Sequence, residues 1–440
     1  MPSKRSSVQS TKPTEKRGRK RVISTVKENG TVIEETAKRI KVFHRSHRTE
    51  KGLVLTLGEG DVGQLGLGED VFERKRPGKV DLPPNVIQIV AGGMHTVCLT
   101  EEGEVYTFGC NDDGSLGRDT SEEGSEASPA KVTDLPYKIV QVSAGDSHTA
   151  ALTEDGKVYA WGNFRDASGS IGLTVEGPQQ RPIEINLDSA VVKIVSGSDH
   201  LVCLGEDGII YTLGNAEQGQ LGRVAECFAS RGGRKGLDFI LSPGVVHCKR
   251  IRGQGKVVFS DIWAGTYVTF AQIKQSGEIY GWGLNNYYQL GVDDMQNRFV
   301  PEKLESFSFS KDWKTIQGGQ HHTVAIDGSG KVYTMGRSTY GRLGLGENNH
   351  EEKMVPTLVQ TLSGKGCVDV AAGGSVSFAV TGKGEIFSWG MGTSKQLGAG
   401  DEEEDLWEPT QMQGKQLEDR SALMVSAGGQ HTVVLVKNNS

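Results

Sequence analysis

Short runs of β-branched and aromatic residues, each closed by glycine, recur along this chain at a nearly constant spacing. One such run is GEVYTFG, residues 103–109. A polar turn that ends at Gly117 follows it. Runs of this composition bounded by glycine predict short β-strands. Seven copies occur at steps of 51, 53, 52, 69, 53 and 54 residues, and they open at Gly52, Gly103, Gly156, Gly208, Gly277, Gly330 and Gly384. A period near fifty residues predicts a repeat protein.

A second shared element lies upstream of six of these glycines. Its copies read AGGMHT from Ala91, AGDSHT from Ala144, SGSDHL from Ser196, AGTYVT from Ala264, GGQHHT from Gly318 and AGGSVS from Ala372. A seventh copy, AGGQHT from Ala427, has no copy of the first element after it. The chain therefore begins with the second half of a repeat and ends with a first half, and pairing the two halves leaves no exposed sheet edge. The pattern predicts an all-β fold, a seven-bladed β-propeller over residues 51–437 that is closed by its N- and C-terminal segments.

Charge divides the chain into a basic tail and an acidic body. Residues 1–51 carry 15 Lys/Arg and 5 Asp/Glu, a net charge of +10 in a chain whose total is -6, which leaves -16 for the remainder. Because residues 1–50 contain few aromatic side chains, we expect this tail to be disordered when free. Two basic clusters separated by a ten-residue spacer are typical of a bipartite nuclear-import signal, although a tail that binds any polyanion would look similar. The clusters consist of Lys4, Arg5, Lys16, Arg17, Arg19, Lys20 and Arg21.

Motifs for covalent chemistry are missing from the sequence. It contains no GxSxG, no HExxH and no P-loop, and its six cysteines show no CxxC spacing. We therefore expect reduced cysteines, no metal, no cofactor and no catalysis by bond-making. The sequence also lacks an apolar run of membrane-spanning length and a secretory signal, so we expect an intracellular protein without membrane contact.

Two repeats depart from the common pattern. The distance from the glycine that closes the strand to the glycine of the next LG-type pair is eight residues in six repeats but ten in the third, from Gly162 to Gly172. This longer loop is either a contact element on a rigid ring or harmless length drift. The 69-residue step contains a basic insertion, residues 223–259, with eight Lys/Arg against two acidic residues. The insertion is either an anion-binding segment, which the clustering favours, or a solvated loop.

Equivalent positions in different repeats lie on one rim of a ring. Five histidines are predicted to share one such position, where most would hold turns by hydrogen bonds: His95, His148, His200, His321 and His431. Acidic residues lie in the same loops or in the neighbouring short ones: Asp61, Asp112, Asp146, Asp199 and Glu217. Acidic groups and imidazoles that converge on one face suit a basic protein partner.

Several stretches of the chain resemble a known protein family. The stretches that are not repeated match as well as the repeats do. The stretches AGDSHTAAL, FRDASGSIGL, EQGQLGR, SRGGRKGL and SAGGQHTVVLVK resemble the family of the regulator of chromosome condensation, nuclear guanine-nucleotide exchange factors for the small GTPase Ran. The resemblance covers the whole predicted propeller and implies Ran on one face and the nucleosome on the other. It implies a nuclear, chromatin-associated protein, with a cytoplasmic fraction left open. The implied activity is exchange of GDP for GTP through stabilisation of nucleotide-free Ran.

The resemblance also implies roles for individual residues. The third-repeat loop would enter the GTPase near its phosphate-binding loop as a wedge of residues 165–171, with Ran contacts at Arg165, Asp166, Ala167, Ser168 and Gly169. The other implied Ran contacts are Asp61, His95, Asp146, Asp199, Arg223, His321 and His431. On the chromatin side, Arg231 and Arg234 would meet the histone acidic patch, and Lys249, Arg250 and Arg252 would lie near DNA phosphates. The basic tail would bind a nuclear import receptor.

Two alternatives from other functional classes stay open at this point. A scaffold for chromatin or ubiquitin-pathway proteins could use the same propeller without exchange activity, because a fold does not fix a function. The longer third-repeat loop and the acidic rim favour exchange over this scaffold. A photoreceptor relative would need a tryptophan cluster, and the six tryptophans occupy different kinds of position in the repeats.

Overall fold

The described residues form a ring of seven β-sheets. The computed structural model describes residues 48–136, 138–229, 236–248, 256–399 and 404–439, which all lie in a compact unit that spans Arg39–Ser440. Seven four-stranded antiparallel sheets are present in this part of the chain. The innermost strands of successive sheets contact one another around the whole ring, the last and first sheets included. The prediction of a seven-bladed propeller is confirmed.

The first two strands of the described residues belong to the last blade: β1 (Leu53–Glu59) and β2 (Glu73–Lys79). Blade 1 consists of β3 (Val86–Ala91), β4 (His95–Thr100), β5 (Val105–Gly109) and β6 (Ala130–Lys131). Blade 2 consists of β7 (Ile139–Ala144), β8 (His148–Thr153), β9 (Val158–Gly162) and β12 (Gln179–Ile185), with a hairpin of β10 (Arg165–Asp166) and β11 (Gly169–Ser170) between its last two strands. Blade 3 consists of β13 (Val191–Ser196), β14 (His200–Gly205), β15 (Ile210–Gly214) and β16 (Gly244–Val245).

The remaining blades repeat this plan. Blade 4 consists of β17 (Phe259–Ala264), β18 (Val268–Ile273), β19 (Ile279–Gly283) and β20 (Arg298–Lys303). Blade 5 consists of β21 (Trp313–Gly318), β22 (His322–Asp327), β23 (Val332–Gly336) and β24 (Lys353–Leu358). Blade 6 consists of β25 (Cys367–Ala372), β26 (Val376–Thr381), β27 (Ile386–Gly390) and β28 (Leu406–Gln411). Blade 7 adds β29 (Arg420–Ala427) and β30 (His431–Asn438) to β1 and β2.

Short helices occur only between strands in the described part of the chain. The insertion of blade 3 contains α1 (Glu226–Ala229) and α2 (Leu237–Leu241). Four 3₁₀ turns span Ser125–Ala127, Glu305–Phe307, Thr339–Gly341 and Gln360–Leu362. Among the residues described, no helix has the length and apolar character needed to cross a membrane.

Blade 7 closes the ring with strands from both ends of the chain. Strands β1 and β30 pair antiparallel from Leu53 opposite Val436 to Gly58 opposite His431. Lys437 and Glu50 also form an ion pair across the join. Arg48 is only 3% exposed, so the last residues of the segment predicted as a disordered tail belong to the ring. Residues 1–47 lie outside the described part of the chain.

The hydrophobic core lies between the blades. The second strand of a blade, such as β4 or β8, is buried along its whole length because neighbouring blades cover both faces of the sheet. Three tryptophans, Trp161, Trp282 and Trp389, are fully buried in these interfaces. Each indole N–H donates to a carbonyl oxygen of the preceding repeat, at Ser115, Gln220 and Arg342, over 2.8 to 3.0 Å. Each of these tryptophans therefore joins two blades. They do not form the cluster that a photoreceptor relative would require.

Antiparallel pairing places the loops at two opposite ends of the ring. Loops between the first and second strands and between the third and fourth strands share one end, which we call the hairpin end because it includes the β10–β11 hairpin. All other loops lie at the opposite end, together with residues 48–52 and the end of β30; we call this the terminal end. The innermost strands surround a channel of about 690 Å³ that runs between the two ends.

Candidate functional site

The longer third-repeat loop folds as a hairpin that rises from the rim of blade 2. Strands β10 and β11 pair Arg165 with Ser170 and Asp166 with Gly169. Two extra residues, Ala167 and Ser168, make the exposed turn. The base of the hairpin is anchored by Phe164 and Ile171, which are 0% and 7% exposed. A polar, exposed tip thus stands on a buried apolar base.

Blade 1 holds the hairpin from one side. The Nη1 atom of Arg165 donates to Asp113 Oδ2 over 2.9 Å, and the Asn163 amide donates to Asp113 Oδ1 over 3.0 Å. Asn163 is fully buried and its Oδ1 accepts hydrogen bonds from Ser170 Oγ and the Gly172 N–H. The side chain of Asn163 therefore ties both strands of the hairpin to the neighbouring blade.

Blade 3 holds the hairpin from the other side. The Arg165 N–H donates to Asp199 Oδ1 over 2.8 Å, and the Arg165 carbonyl accepts from Asn215 Nδ2 over 2.9 Å. The Ala167 N–H donates to Glu217 Oε2 over 3.0 Å. Because these bonds run to the backbone, they fix the path of the hairpin and not just one side chain. Its shape is set before any partner arrives.

Two acidic side chains near the hairpin, Asp146 and Asp199, have raised pKa values. Burial and the neighbouring Asp146 raise the pKa of Asp199 to about 7, although the hydrogen bond from Arg165 opposes the change. The Asp146 side chain is exposed, yet the protein atoms packed around it raise its pKa, against the hydrogen bond from Ser198 and the nearby Arg165. The Arg165 side chain thus lies among the carboxyl groups of Asp113, Asp146 and Asp199. The rim around the hairpin is acidic, as the sequence predicted.

The repeated histidine position joins successive blades. The Nε2 atoms of His95, His200 and His431 lie 2.9 to 3.0 Å from threonine hydroxyls of the following blade, at Thr149, Thr269 and Thr96. These rings are at most 1% exposed, and burial lowers their pKa to between about 3 and 4, so they are neutral. The prediction that these histidines make structural hydrogen bonds is confirmed, but the partners are threonines in strands of the next blade and not turns. Their buried rings offer no surface to a partner.

Placing His321 in this repeated position was wrong. The position in blade 5 is held by His322, which pairs with Gly336 as His95 pairs with Gly109 and contacts Ser377 Oγ at 2.9 Å. His321 is half-buried in the loop before it, with its ring 4.8 Å from that of Tyr287. Burial and the two guanidinium groups of Arg342 and Arg337 lower the pKa of His321 to about 4. The error arose because GGQHHT contains two adjacent histidines.

Valine replaces histidine at this position in blades 4 and 6, and among the five blades that have the histidine, blade 2 is the exception. His148 has no hydroxyl opposite it, because Leu201 stands where other blades have threonine or serine. Its ring instead packs on Phe164 at the base of the hairpin, with the ring centroids 4.6 Å apart. At this end, the hairpin's bonds to Asp199, Asn215 and Glu217 join blades 2 and 3, together with the hydrogen bond from the Asp146 N–H to the Ser198 carbonyl.

Arg223 has a structural role that the sequence did not reveal. Its Nη2 donates to the carbonyl oxygens of Thr212, Phe239 and Ser242 over 3.1, 2.9 and 2.8 Å. The guanidinium also lies 4.7 Å from the Phe239 ring centroid, and burial lowers its pKa to about 10. Arg223 therefore fastens the insertion to the outer strands of blade 3, and its implied contact with Ran has few donors left to use.

The remaining predicted residues divide between exposed and undescribed positions. Asp61 and Asp112 are exposed at the hairpin end. The implied chromatin contacts, Arg231, Arg234, Lys249, Arg250 and Arg252, lie outside the described residues, as do all the import-signal residues. Within the ranges that the structure describes, no group of three or more His, Cys, Asp or Glu side chains could hold a metal ion.

Sequence reasoning named Asp199 and Glu217 but missed three other residues that hold the hairpin in place: Asp113, Asn163 and Asn215. Asn163 and Asn215 each follow the glycine that closes the third strand of their blade, in two successive repeats. That repeated Gly-Asn pair was a usable signal. The role of Asp113 had none, because its partner Arg165 is 52 residues away and belongs to another blade.

The chain was compared with known protein families, curated proteins and solved structures. A family model described as an RCC1-like domain matches residues 53–434. The human regulator of chromosome condensation is 57% identical over 404 residues, covering 91% of this chain and 94% of the human protein. The yeast guanine nucleotide exchange factor SRM1, from Saccharomyces cerevisiae, is 30% identical and covers 86% of this chain and 85% of its own length.

Two solved structures of yeast proteins agree with this similarity. Prp20p, whose crystal structure was described with its binding properties to Gsp1p and histones, superimposes with a TM-score of 0.80 at 31% identity, covering 90% of this chain and 94% of Prp20p. Yeast RCC1 (Prp20) bound to Kap60 superimposes with a TM-score of 0.78 at 29% identity, covering 97% of each chain.

Proposed function

The chain belongs to the regulator of chromosome condensation family, and from this premise we propose that it is a guanine-nucleotide exchange factor for the small GTPase Ran that works without covalent chemistry. The observation that carries the proposal is the preformed hairpin of blade 2. Five hydrogen bonds to two neighbouring blades, one of them also an ion pair, hold it in an acidic rim. A rigid protrusion of this kind suits insertion into a partner's binding site.

The exposed residues of the hairpin end form the proposed contact surface. The tip, from Arg165 to Gly169, would enter the GTPase near its phosphate-binding loop. Asp61, Asp146 and the rest of the acidic rim would orient a basic surface of Ran by electrostatic complementarity. His95 and His431 would act from below by holding the rim loops in place, since their rings are buried. His321 would stand at the opposite side of the same end.

The mechanism follows from competition for space. If the hairpin tip and the nucleotide phosphates cannot occupy Ran together, each weakens the binding of the other by the same coupling free energy. The exchange factor then stabilises nucleotide-free Ran and speeds release of either nucleotide. The direction of net exchange is set by whichever nucleotide is more abundant. No step requires a cofactor or a nucleophile.

The second part of the proposal concerns chromatin and the nucleus. Arg231 and Arg234 would bind the histone acidic patch through forked, charge-assisted hydrogen bonds, and residues 249–252 would contact DNA phosphates. The basic tail would bind an import receptor and so place the protein in the nucleus, on chromatin. Similarity to Prp20p, which was studied with histones, and to yeast RCC1 bound to Kap60 supports these assignments.

Nucleotide release tests the exchange proposal directly. The full chain is mixed at catalytic amounts with Ran that carries a fluorescent GDP, and release is followed after an excess of GTP is added. We expect release to accelerate by several orders of magnitude, while a Ras-type GTPase treated in the same way serves as the specificity control. A chain that binds nucleosomes but leaves release from Ran unchanged would instead be the scaffold.

A further inference from the structure

Six exposed lysines lie together on the terminal end of blades 4 to 6. They occupy the loops between second and third strands, or the connections that lead into the first strands of these blades. We call them the lysine arc: Lys256, Lys274, Lys311, Lys331, Lys365 and Lys383. Lys256 belongs to the basic insertion, and the other five have no part in the functions proposed above.

Hydrogen bonds between the loops make the arc continuous. The Gln275 side chain donates to the carbonyl of Lys256, and the Gln272 side chain donates to the carbonyl of Lys311. The Cys367 N–H donates to the Gly330 carbonyl, which brings the loop of Lys331 beside the loop of Lys365. The positive charges thus follow one path across three blades.

The lysines of the arc form no ion pair with any residue that the structure describes. Nearby carboxylates are already engaged. Glu278 and Glu305 both bind Lys303, at 2.9 and 2.7 Å, and Asp312 binds Lys314 at 2.7 Å. Asp327 accepts hydrogen bonds from Ser329 and from the Lys331 N–H. The positive charge of the arc is therefore available to a ligand.

Two Gly-Lys-Gly turns lie side by side at the blade 6 end of the arc. They are residues 364–366 and 382–384, and the Gly382 N–H donates to the Gly366 carbonyl over 2.9 Å. Gly364 and Gly366 have φ values of +79° and +63°, and a side chain added at either would meet no atom within 4 Å. Lys365 lies over the Phe387 ring, 4.6 Å from its centroid. The turns are therefore open to solvent and closely paired.

These turns also present unused backbone donors. The N–H groups of Gly364, Gly366 and Lys383 donate no hydrogen bond to any described residue. Backbone N–H groups in a segment where the sign of φ alternates form a concave anion-binding surface. Lysine ammonium groups on both turns add positive charge beside these donors. The combination suits a phosphate group, which accepts several hydrogen bonds at once.

The other half of the terminal end is acidic. The corresponding loops of blades 1 to 3 carry exposed carboxylates at Glu101, Glu102, Glu154, Asp155, Glu206 and Asp207. An extended polyanion would be repelled there and attracted to blades 4 to 6. The charge pattern therefore favours a ligand that lies across one half of this end.

The chemistry of the arc favours phosphates over other anions. The described residues of the arc include no arginine, the side chain whose fork matches a carboxylate, whereas lysine acts as a point charge toward phosphate. Phe309, 58% exposed beside Lys311, is the arc's one large exposed aromatic residue in the described part of the chain. A platform for single strands stacks successive bases on several aromatic rings. A duplex backbone needs only the cations and the free N–H groups.

We propose that the lysine arc, with the paired Gly-Lys-Gly turns of blade 6, is a binding surface for the phosphate backbone of duplex DNA. Five of its six lysines lie outside the insertion, and none belongs to the tail. It also does not depend on exchange activity, because it lies at the opposite end of the ring from the hairpin. Its contacts carry no base specificity, since they reach only the backbone.

Binding of the full chain to a labelled duplex of fixed sequence at a series of salt concentrations tests the proposal. The variant replaces Lys365 and Lys383 with glutamine. We expect affinity to fall roughly tenfold and the slope of log affinity against log salt to become shallower by about two, since each lost phosphate contact removes about 0.9. A slope equal to that of the unmodified chain would overturn the proposal.

The matched control replaces Lys75 and Lys353 with glutamine, which changes the net charge equally on the outermost strands near the hairpin end. We expect DNA affinity and slope to be unchanged in this control. Equal losses in both variants would mean that total charge matters and the arc does not. If the Lys365/Lys383 variant kept its DNA affinity but lost binding to polyglutamate, the arc would bind carboxylates, which also overturns the proposal. Thermal unfolding of both variants checks that the ring is intact.

Discussion

The two ends of this propeller differ in how their charged groups are held. At the hairpin end, Arg165 is bonded through its side chain, its N–H and its carbonyl to three different residues. At the terminal end, Lys365 and Lys383 have no ion partner among the described residues, and the N–H groups of Gly364, Gly366 and Lys383 donate no hydrogen bond to any of them. The hairpin end therefore has a prearranged contact element, whereas the terminal end has hydrogen-bond donors that a ligand can use.

The difference shows what each end is suited to recognise. A prearranged protrusion loses little conformational entropy on binding, and so it favours one partner of matching shape. Long lysine side chains on open turns adapt to phosphates at many positions, but they provide affinity with little selectivity. The same seven-fold scaffold thus supports a specific contact and a general one. The following predictions test this contrast, from the largest expected effect to the smallest.

Shortening the hairpin should abolish its specific contact. Removal of Ala167 and Ser168 makes the loop as long as its six equivalents, so the blade should fold. Release of labelled GDP from Ran should fall by about 100-fold or more, because displacement of a positioned group by about 1 Å already costs that much. Thermal unfolding and DNA binding are the controls, and both should match the unmodified chain. If the shortened chain released GDP from Ran at the normal rate and kept its normal stability, the two extra residues would be length variation without a function.

Replacement of Asp199 with asparagine should separate activity from stability. The folded-state pKa of Asp199 is about 7 and its ordinary value is 3.8, so its ionisation in the folded state costs stability as pH rises from about 4 to 7. The asparagine variant should therefore unfold at a Tm higher by roughly 2 °C or more at pH 8. Exchange at pH 8 should fall roughly tenfold, because a hydrogen bond to a charged acceptor is lost.

The pH profile provides the control for this variant. In the unmodified chain, exchange should decline as pH falls from 8 to 6, because Asp199 becomes protonated and binds the Arg165 N–H less strongly. The profile of the asparagine variant should lack this decline. A decline of equal size in both proteins would assign the titration to another group.

Replacement of Glu217 should reduce exchange by a smaller factor, because Glu217 positions the hairpin through one hydrogen bond. Alanine at this site removes the acceptor for the Ala167 N–H and should slow exchange about three- to tenfold, in line with the net value of one hydrogen bond. Glutamine keeps an acceptor oxygen and should restore most of the rate. If glutamine were as slow as alanine, the negative charge of Glu217 would matter more than its hydrogen bond to the hairpin.

The lysine variant should have the smallest effect on exchange. With Lys365 and Lys383 replaced by glutamine, nucleotide release from Ran should stay within about twofold of normal in the absence of DNA, since distant sites contribute independently. A larger loss would mean that the two ends are coupled through the ring. The Lys75/Lys353 variant, measured alongside, shows the effect of charge alone.

Much of the fold could be predicted from sequence because it depends on local patterns. The strand runs, the glycines that close them and the half-repeat at each end predicted the number of blades and the closure between β1 and β30. The hairpin was visible only as two additional residues between Gly162 and Gly172. Its paired strands and their anchors depend on contacts between repeats, which spacing along the chain does not report.

Individual side-chain roles were harder to predict for the same reason. His322 and His321 are neighbours in the chain, and only the strand register separates the one that joins blades from the one that faces Tyr287. Arg223 looked like a surface cation, but it binds carbonyls from residues 212 to 242. The charged surface at the terminal end also went unnoticed, because its lysines are separated in sequence and meet only in the folded ring.

The closure of blade 7 also determines where the N-terminal tail is attached. Strand β1 is the third strand of its blade, so Leu53 and the residues before it lie at the terminal end, beside the mouth of the channel that Arg48 lines. Any ligand held by the tail is therefore tethered to the end that carries the lysine arc. Tethering by a short linker raises the local concentration of a second site to the order of millimolar. Weak contacts of the tail and of the lysine arc with one ligand can then add to the same avidity. The closure of blade 7 makes this possible because it places both at the same end of the ring.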